Sequence, residues 1–224
     1  MASGGAAEGD VANIDFSGID ELDPSTADGF KCVYDREVPF ELRVQETAGG
    51  PQHMGTLEAI KVKVLTLGDA AGPQAVRVEL SSEADLFFHF MHVSDDPAYQ
   101  AMQEQQKLMV DFPDYPNMLI RLLNHCIKEP HAHLAVLVMH HDASARLDFI
   151  QNMEYKFVEL MSLQFSRSPE DVVQHQITYR YNAMKSRLAL MHARLQDINN
   201  LVKLKNPSLL LQLQRSATFG GAGA

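Results

Sequence analysis

Cysteine is scarce in this chain, and long apolar runs are missing from it. Cys32 and Cys126 lie far apart and neither belongs to a CxxC pair, which predicts two free, reduced thiols. Residues 1–13 contain neither a basic stretch nor an apolar stretch, so they do not predict a secretory signal peptide. No apolar run approaches the ~18–20 residues that span a bilayer. We therefore expect a soluble protein of the cytoplasm.

An excess of positive charge is missing as well. The 19 Lys and Arg residues are outnumbered by 29 Asp and Glu residues, and the formal net charge is −10. Proteins that bind duplex nucleic acid normally carry a basic face or stripe, whereas the basic residues here are scattered along the sequence. Anionic membrane surfaces also attract clusters of Lys and Arg. The composition therefore predicts neither a nucleic-acid nor a membrane partner.

Motifs of catalysis are absent too. The chain has no GxSxG nucleophile motif and no glycine-rich phosphate loop. Paired carboxylates could instead carry acid–base chemistry, but the acidic residues near turns are better interpreted as turn and cap residues. These acidic residues are Glu83, Asp85, Asp95, Asp96, Asp111 and Asp114. We therefore predict a protein that is not an enzyme.

A group of histidines raises the question of a metal. A zinc site needs three or four converging ligands, and no second cysteine completes a recognised spacing here. His131 and His133 share one face of a predicted strand, whereas adjacent residues such as His140 and His141 point to opposite faces. The group is His125, His131, His133, His140 and His141, beside Cys126. Surface and loop histidines are the favoured interpretation, so no metal and no other cofactor is predicted.

Hydrophobic residues make up 46% of the chain and charged residues 21%, which is typical of a globular protein with one core. Residues 1–28 are rich in Gly, Ala, Asp and Ser and predict a disordered N-terminal arm. We expect a globular head domain over residues 29–167, a long helix over 168–205 and a flexible tail over 206–224.

Apolar–polar alternation predicts the strands of the head. It runs through residues 31–45, where Pro39 restricts the strand to a sheet edge or a strand start. Residues 60–80 predict an antiparallel hairpin whose phase slips near Leu65, which indicates a bulge or a strand buried on both faces. Further strand patterns cover 86–93, 107–112, 134–141, 145–152 and 155–165. The last of these places Phe157, Met161 and Leu163 on one face.

Two helices interrupt these strands. Asp95 and Pro97 predict a helix start, and that helix runs to Gln106. A second, apolar helix over 116–127 is expected to cover one end or face of the sheet. Seven or eight strands and two helices predict an α+β fold. Its form is a β-barrel-like antiparallel head with a helical insertion, followed by one long C-terminal helix.

The long helix carries a strict apolar heptad seam. Ser168 and Pro169 predict its start, and no Pro or Gly interrupts it before Lys205. The seam residues are spaced alternately four and three apart: Ile177, Tyr181, Met184, Leu188, Met191, Leu195, Ile198 and Val202. A two-in-seven stripe is narrower than the face of a core-packed helix, which favours a short parallel coiled coil. The alternative is one helix packed back on its own head.

The order of motifs over residues 75–126 resembles the spindle assembly abnormal protein 6 family. The turn at 85–88 is similar to the family's DPFF turn without its proline, and the run at 107–112 to its GLLVDF strand. The helix over 116–126 is similar to its FPxxxIxLLxxC helix, and residues 147–165 resemble its LNxxExNxFKxLxxLSLxF block. The resemblance covers roughly residues 57–188. It implies the head-and-stalk fold that this family shares with the X-ray repair cross-complementing protein 4 superfamily.

The resemblance also assigns a role to the predicted hairpin tip. In that family a tip phenylalanine enters an apolar pocket of a neighbouring head, and such contacts alternate with coiled-coil contacts to close a ninefold ring. Tyr155 stands at this position, with Met153, Glu154 and Lys156 beside it. The tyrosine hydroxyl then needs a hydrogen-bond partner or a place at the pocket rim. The alternative is an ordinary half-exposed tyrosine.

The resemblance implies a structural protein that assembles with itself through its head and stalk. The expected place is the cytoskeleton, in the cartwheel of a centriole or basal body, at a flagellar base or in an apical complex. Because the heptads end early, the chain resembles a short paralogue, and a full-length paralogue or other basal-body proteins are further expected partners. The competing hypothesis is a scaffold head of the DNA-repair type that acts through partner proteins. Such a scaffold needs basic surface near the stalk, where Arg180, Lys185, Arg187 and Arg194 supply a little.

Overall fold

The computed structural model describes residues 17–45, 55–69 and 72–205. Residues 1–16 of the predicted arm and the predicted tail over 206–224 lie outside the described residues. The chain divides into two compact units, one formed by Asp23–Ile177 and the other containing the described residues before Asp23 and after Ile177. Among the described residues, no helix is both long enough and apolar enough to cross a membrane.

A closed barrel forms the first unit and confirms the predicted α+β head. Its strands follow the order β1-β2-β3-β4-β7-β6-β5 around the barrel, and every neighbouring pair is antiparallel except β1 with β5. The described strands are β1 (Phe30–Gln45), β2 (Thr56–Asp69), β3 (Gly72–Ser82), β4 (His89–Asp95), β5 (His133–His140), β6 (Ser144–Asn152) and β7 (Phe157–Arg167).

Four α-helices occur among the described residues: α1 (Ser17–Asp20), α2 (Asp96–Gln106), α3 (Tyr115–Lys128) and α4 (Glu170–Lys205). Asp95 caps α2 through the amide of Ala98 at 3.0 Å, with Pro97 in the first turn, as the sequence predicts. Helix α3 buries Leu119, Leu123 and Cys126 against the barrel. Burial raises the pKa of the Cys126 thiol to about 11, and neither cysteine forms a disulfide.

The barrel interior explains the alternation of β1 and β2. Pro39 lies in the part of β1 that pairs with β2 alone, because the pairing with β5 begins one residue later at Phe40. Val64, Leu65 and Thr66 are consecutive and all buried, so β2 is covered on both faces at this point. The register shift lies in β1, between Cys32 and Tyr34, opposite the phase slip of β2. Burial on both faces therefore explains the slip of β2, whereas the extra residue of the bulge belongs to β1.

One predicted strand is wrong, and another begins later than predicted. Residues 107–112 form no strand, because Lys107 adopts a left-handed conformation that ends α2 and Phe112 begins a 3₁₀ turn. The carbonyl of Val110 accepts hydrogen bonds from the side chains of Tyr99 and Gln103 in place of a ladder. Residues 86–88 form a turn in which Asp85 accepts from the amide of Phe87 at 2.9 Å, so β4 begins only at His89.

The junction between β4 and β7 closes the barrel with few backbone pairs. Only Phe90 with Arg167 and Met91 with Ser166 are paired across it. Further along β7, the Gln106 amide bonds both backbone groups of Ser162, at 2.7 and 2.8 Å. Side chains thus replace the missing ladder and leave a gap between the two strands.

His92 also belongs to this junction. Its Nδ1 lies 2.8 Å from the carbonyl oxygen of Gln164, which requires an Nδ1–H donor, and its Nε2 lies 3.2 Å from the hydroxyl of Tyr115. The neutral ring satisfies both contacts. Burial lowers the pKa of His92, partly opposed by the bond to Gln164.

A buried polar network joins the N-terminal segment to the start of α4. The Ser25 hydroxyl donates to Glu79 at 2.6 Å and accepts from Lys63 at 3.1 Å and from Gln176 at 2.9 Å. Gln176 and Val173 are buried in the first two turns of α4, which belong to the barrel unit. We call this set, with Asp23, Arg77, His89 and Ser168, the anchoring network.

The charges of the anchoring network balance one another. Asp23 pairs with Lys63, and Arg77 pairs with Glu79 at 3.0 Å. Burial alone would raise the pKa of Asp23, but the Lys63 ammonium and the hydrogen bonds from Ser25 outweigh it, so the pKa is lowered. Such pairing is what keeps buried charges tolerable.

The anchoring network differs from two predictions, the disordered arm predicted up to residue 28 and the start of the long helix at Ser168. Residues 23–28, assigned to a disordered arm by their composition, form part of the barrel unit because Ser25 is fully buried there. The Ser168 hydroxyl lies 2.7 Å from His89 Nδ1, and α4 begins two residues later at Glu170. Ser168 therefore joins the helix start to β4.

We expect Ser25→Ala to lower the free energy of unfolding by about 1–3 kcal/mol, because it leaves buried Lys63 and Gln176 short of an acceptor. Urea unfolding followed by circular dichroism measures the change. Ser186→Ala is the control, since Ser186 is exposed and lies outside the barrel unit. Coincident unfolding curves for Ser25→Ala and wild type would contradict this role.

We expect the stability that depends on His92 to fall as the pH drops below about 6.5, the ordinary pKa of histidine. The lowered pKa in the folded state means that the unfolded chain binds a proton first, which favours unfolding in acid. The His92→Gln variant keeps a donor and an acceptor, and its unfolding free energy should change less between pH 7.5 and pH 5. A profile identical to that of the exposed control His141→Gln would refute a depressed pKa.

Candidate functional site

The hairpin between β6 and β7 ends in a tip of exposed apolar side chains. It is closed by the amide of Met153, which donates to the carbonyl of Lys156 at 2.8 Å. Tyr155 is 89% exposed, Phe157 66% and Met153 47%. We call these three residues the tip surface. Folding of the barrel does not require apolar residues at positions so open to water, so the tip surface is a candidate contact site.

Phe157 is the residue of this surface that the sequence pattern misplaced. Alternation assigned it to the same face as Met161 and Leu163, but only those two are buried. Phe149 pairs with Met161 and Ile150 with Glu159, so Leu160 is an extra residue in β7. Such a bulge reverses the alternation beyond it and turns Phe157 outward. Glu159 within the apolar set was the only signal of this break in the sequence.

The phenol of Tyr155 has a partner at the tip itself. Its hydroxyl donates to Glu154 Oε1 at 2.9 Å. A tyrosine that enters an apolar pocket without a partner loses the hydrogen bonds that water supplied. Because Glu154 is adjacent to Tyr155 in the chain, its carboxylate can remain the acceptor for the Tyr155 hydroxyl when the tip enters a pocket. Lys156 completes the loop, so the tip carries one negative and one positive charge beside its apolar residues.

A groove of 640 Å³ lies along the gap between β4 and β7. Its floor and walls include Met102, Leu160 and Met161, and helix α2 forms one side. Arg146 and Glu159 also line it. Arg146 is held by Asp148 at 2.9 Å, and Asp148 in turn accepts from Ser162 at 2.8 Å. The groove therefore combines apolar walls with charged groups of both signs.

Helix α4 is 36 residues long and carries the predicted heptad seam over residues 177–202. Within the described chain, Tyr181, Met184, Leu188, Met191 and Leu195 are all exposed, at between 47% and 69%. Ile177, Ile198 and Val202 are partly exposed. A row of exposed apolar residues at heptad spacing is a surface that needs another helix to cover it.

The histidine group does not converge on one point. The rings of His125 and His133 lie 4.8 Å apart, and His133 Nε2 is 3.8 Å from Glu129. His131 lies in the turn before β5 and not in the strand, which begins at His133. Among the residues that the structure describes, no three His, Cys, Asp or Glu side chains are grouped to hold a metal ion.

Comparison with known proteins identifies relatives of this fold. Residues 32–165 match the family model described as the Centriolar protein SAS N-terminal domain. The Spindle assembly abnormal protein 6 homolog of Gallus gallus is 33% identical over 70 residues, which cover 31% of this chain and 11% of the chicken protein. The chain thus matches only a small part of that curated relative.

Solved structures show the same architecture. A fragment titled as the N-terminal part of Leishmania SAS-6 with parts of its coiled coil domain has a TM-score of 0.67 and 20% identity. That match covers 80% of this chain and 98% of the fragment. A Drosophila melanogaster Sas-6 fragment, described as dimerised via the coiled-coil domain, has a TM-score of 0.66 and 12% identity over 89% of this chain and 95% of its own.

Identities this low establish the fold alone, whereas the family model covers more than half of the sequence, including strands, helical insertion and hairpin tip. The chain belongs to the Centriolar protein SAS N-terminal domain family.

Proposed function

We propose that this chain is a non-enzymatic structural protein that assembles with copies of itself at centrioles or basal bodies. Two surfaces carry the assembly: the tip surface makes head-to-head contacts, and the seam of α4 makes a short coiled coil. The observation that carries the proposal is Tyr155, an aromatic side chain that is 89% exposed at the end of a hairpin.

The hairpin tip and the start of α4 lie at opposite ends of one strand. The tip precedes β7 and the start of α4 follows it, and β7 is 11 residues long. At about 3.3 Å per residue, roughly 35 Å separates the tip from the helix start. The tip and the helix start are therefore separate parts of the barrel unit. Alternating head and helix contacts then build an object larger than a dimer.

The groove along the gap is the surface that we propose accepts the tip of a second head. Met102 and Leu160 provide apolar walls, and Arg146 and Glu159 complement the charges of Glu154 and Lys156. The groove is lined by residues 159–162 and by Gln164 of β7, close to the tip on the same strand. Two heads related by a twofold axis present the same patch to each other, so each tip can enter the other's groove.

Each head contact is expected to be weak. Burying one tyrosine ring contributes roughly 1.5–3 kcal/mol, whereas micromolar affinity requires about 8 kcal/mol in total. Weak contacts can dissociate and correct a growing assembly. A second contact through α4 raises the local concentration of heads and so stabilises the assembly without new head contacts.

The expected place of such an assembly is the cytoskeleton, in a centriolar cartwheel, at a flagellar base or in an apical complex. A full-length paralogue of the same family is a further proposed partner, because the tip surface and the groove would be shared. The family match supports the centriolar setting.

We expect Tyr155→Glu to abolish head-to-head association without unfolding the barrel, because Tyr155 is exposed and its loss leaves the core intact. Sedimentation velocity from micromolar to near-millimolar protein measures this. The mass of the wild type should grow with concentration, and that of the variant should not. Tyr155→Phe should associate at least as well as wild type, because it has no hydroxyl to desolvate.

The matched control for the tip is Phe87→Glu, an exposed aromatic residue at the turn before β4 that is changed in the same way. It should sediment like the wild type. If Tyr155→Glu associates as strongly as Phe87→Glu, the tip is not a contact surface.

We expect Leu188→Asp with Leu195→Asp to remove association through α4 and to leave head contacts in place, because charges within the seam cannot be buried. Light-scattering mass at several ionic strengths measures the stalk contact. Leu190→Asp with Leu204→Asp is the control, since both leucines are exposed on the same helix outside the seam. Equal masses for the two double variants would show that the seam is not used.

A further inference from the structure

The apolar seam of α4 is bordered by charges of one sign. With Tyr181, Leu188, Leu195 and Val202 as a positions, the g positions before Leu201 are all arginine: Arg180, Arg187 and Arg194. The corresponding e positions are Thr178, Lys185, His192 and Asn199. Residues 178–205 contain six Lys and Arg and one Asp, in a chain whose net charge is −10. We call Arg180, Lys185, Arg187 and Arg194 the basic rim.

A second copy of this helix matches the seam but not the basic rim. In a parallel pair, each g residue faces the next e residue of the partner helix, and these pairs set partner choice. Arg180 then faces Lys185, Arg187 faces His192, and Arg194 faces Asn199. None of these pairs joins opposite charges, and the first is repulsive and occurs twice by symmetry. An antiparallel pair places the g arginines opposite one another.

One residue of the basic rim, Arg187, pairs with a carboxylate in the structure. Arg187 Nη2 lies 2.7 Å from Oδ1 of Asp20, on the short helix α1, within the second unit. Both side chains stay partly exposed, at 45% and 59%. This contact lies beside the seam and does not cover it, because Met184 and Leu188 are 69% and 67% exposed. An acidic side chain at the rim and an open apolar seam therefore coexist.

We propose that the seam and basic rim bind a helix of another protein, one with apolar a and d residues and Glu or Asp at its e and g positions. Such a helix buries the seam residues and places a carboxylate against each rim cation. A polyanion such as nucleic acid would pair with the rim but leave Leu188 and Met191 exposed, so the chemistry favours a helix. The inference shares with the proposed function only the use of the seam for helix pairing.

The test uses the full chain and two fluorescent peptides of about 28 residues, a length at which helix pairing is practicable. Both repeat the a and d residues of 178–205; one has Glu at every e and g position and the other has Lys. Fluorescence anisotropy should show the Glu peptide binding at least about tenfold more tightly. Added salt should weaken that binding and strengthen self-association of the stalk, because it screens attraction in one and repulsion in the other.

Two sets of variants test whether the rim charges and the apolar seam are responsible for binding of the Glu peptide. Arg180→Glu with Arg187→Glu and Arg194→Glu should reverse the peptide preference, whereas Arg→Lys at the same three positions should keep it. Leu188→Asp with Leu195→Asp should abolish binding of the Glu peptide. Equal affinity for both peptides, or an unchanged preference after charge reversal, would overturn the proposal. Undiminished binding by the leucine variant would overturn it as well, because it would indicate a polyanion site.

A negative result in the peptide experiment can be distinguished from a failure of the proposed self-assembly. Tyr155→Glu should bind the Glu peptide as the wild type does, because the tip is not part of α4. A chain that self-associates through Tyr155 but ignores the Glu peptide refutes only the heterotypic partner. A chain that binds the peptide but never self-associates refutes only the proposed assembly.

Discussion

The short pairing between β4 and β7 is the constraint on which the rest of the molecule depends. Two residue pairs close the barrel there, and side chains complete what the backbone leaves open. Gln106 bonds β7 from α2, and Ser168 bonds His89 at the end where α4 begins. The closure of the barrel, the groove and the attachment of the long helix therefore all lie at the junction between β4 and β7. Strand β7 joins them, with the hairpin tip at one end and the helix at the other.

One extra residue in β7 decides the chemistry of the tip. The bulge at Leu160 turns Phe157 to the outer face, beside Tyr155 and Met153, and places Leu160 against the groove. A regular strand would bury Phe157 and leave a smaller apolar surface. The same bulge thus shapes both the tip surface and the groove that is proposed to bind the tip of a second head.

Charge is used differently in the two units. Inside the barrel unit, buried Lys63 and Glu79 and half-buried Asp23 and Arg77 balance one another, so they hold the helix start without adding net charge. Along 178–205 the charges are nearly all positive, and all but the half-buried Arg180 and Arg194 are exposed. A contact through the tip surface, which has one charge of each sign, is expected to respond less to salt than a contact through the basic rim, where the charges have one sign. Ionic strength can separate the two surfaces experimentally.

Periodicity in the sequence by itself determined the barrel strands, the insertion helices and the long helix, because alternation and heptad spacing are local properties of the chain. The motif order indicated the family, and the e and g positions of α4 already contained the basic rim. Tyr155 as a contact residue stays a prediction. Only the tertiary structure decided the outward turn of Phe157, the irregular path of residues 107–112 and the burial of Ser25. These features depend on contacts with other elements, through Ile150, Tyr99 and Gln176 respectively, which the periodicity of one segment does not reveal.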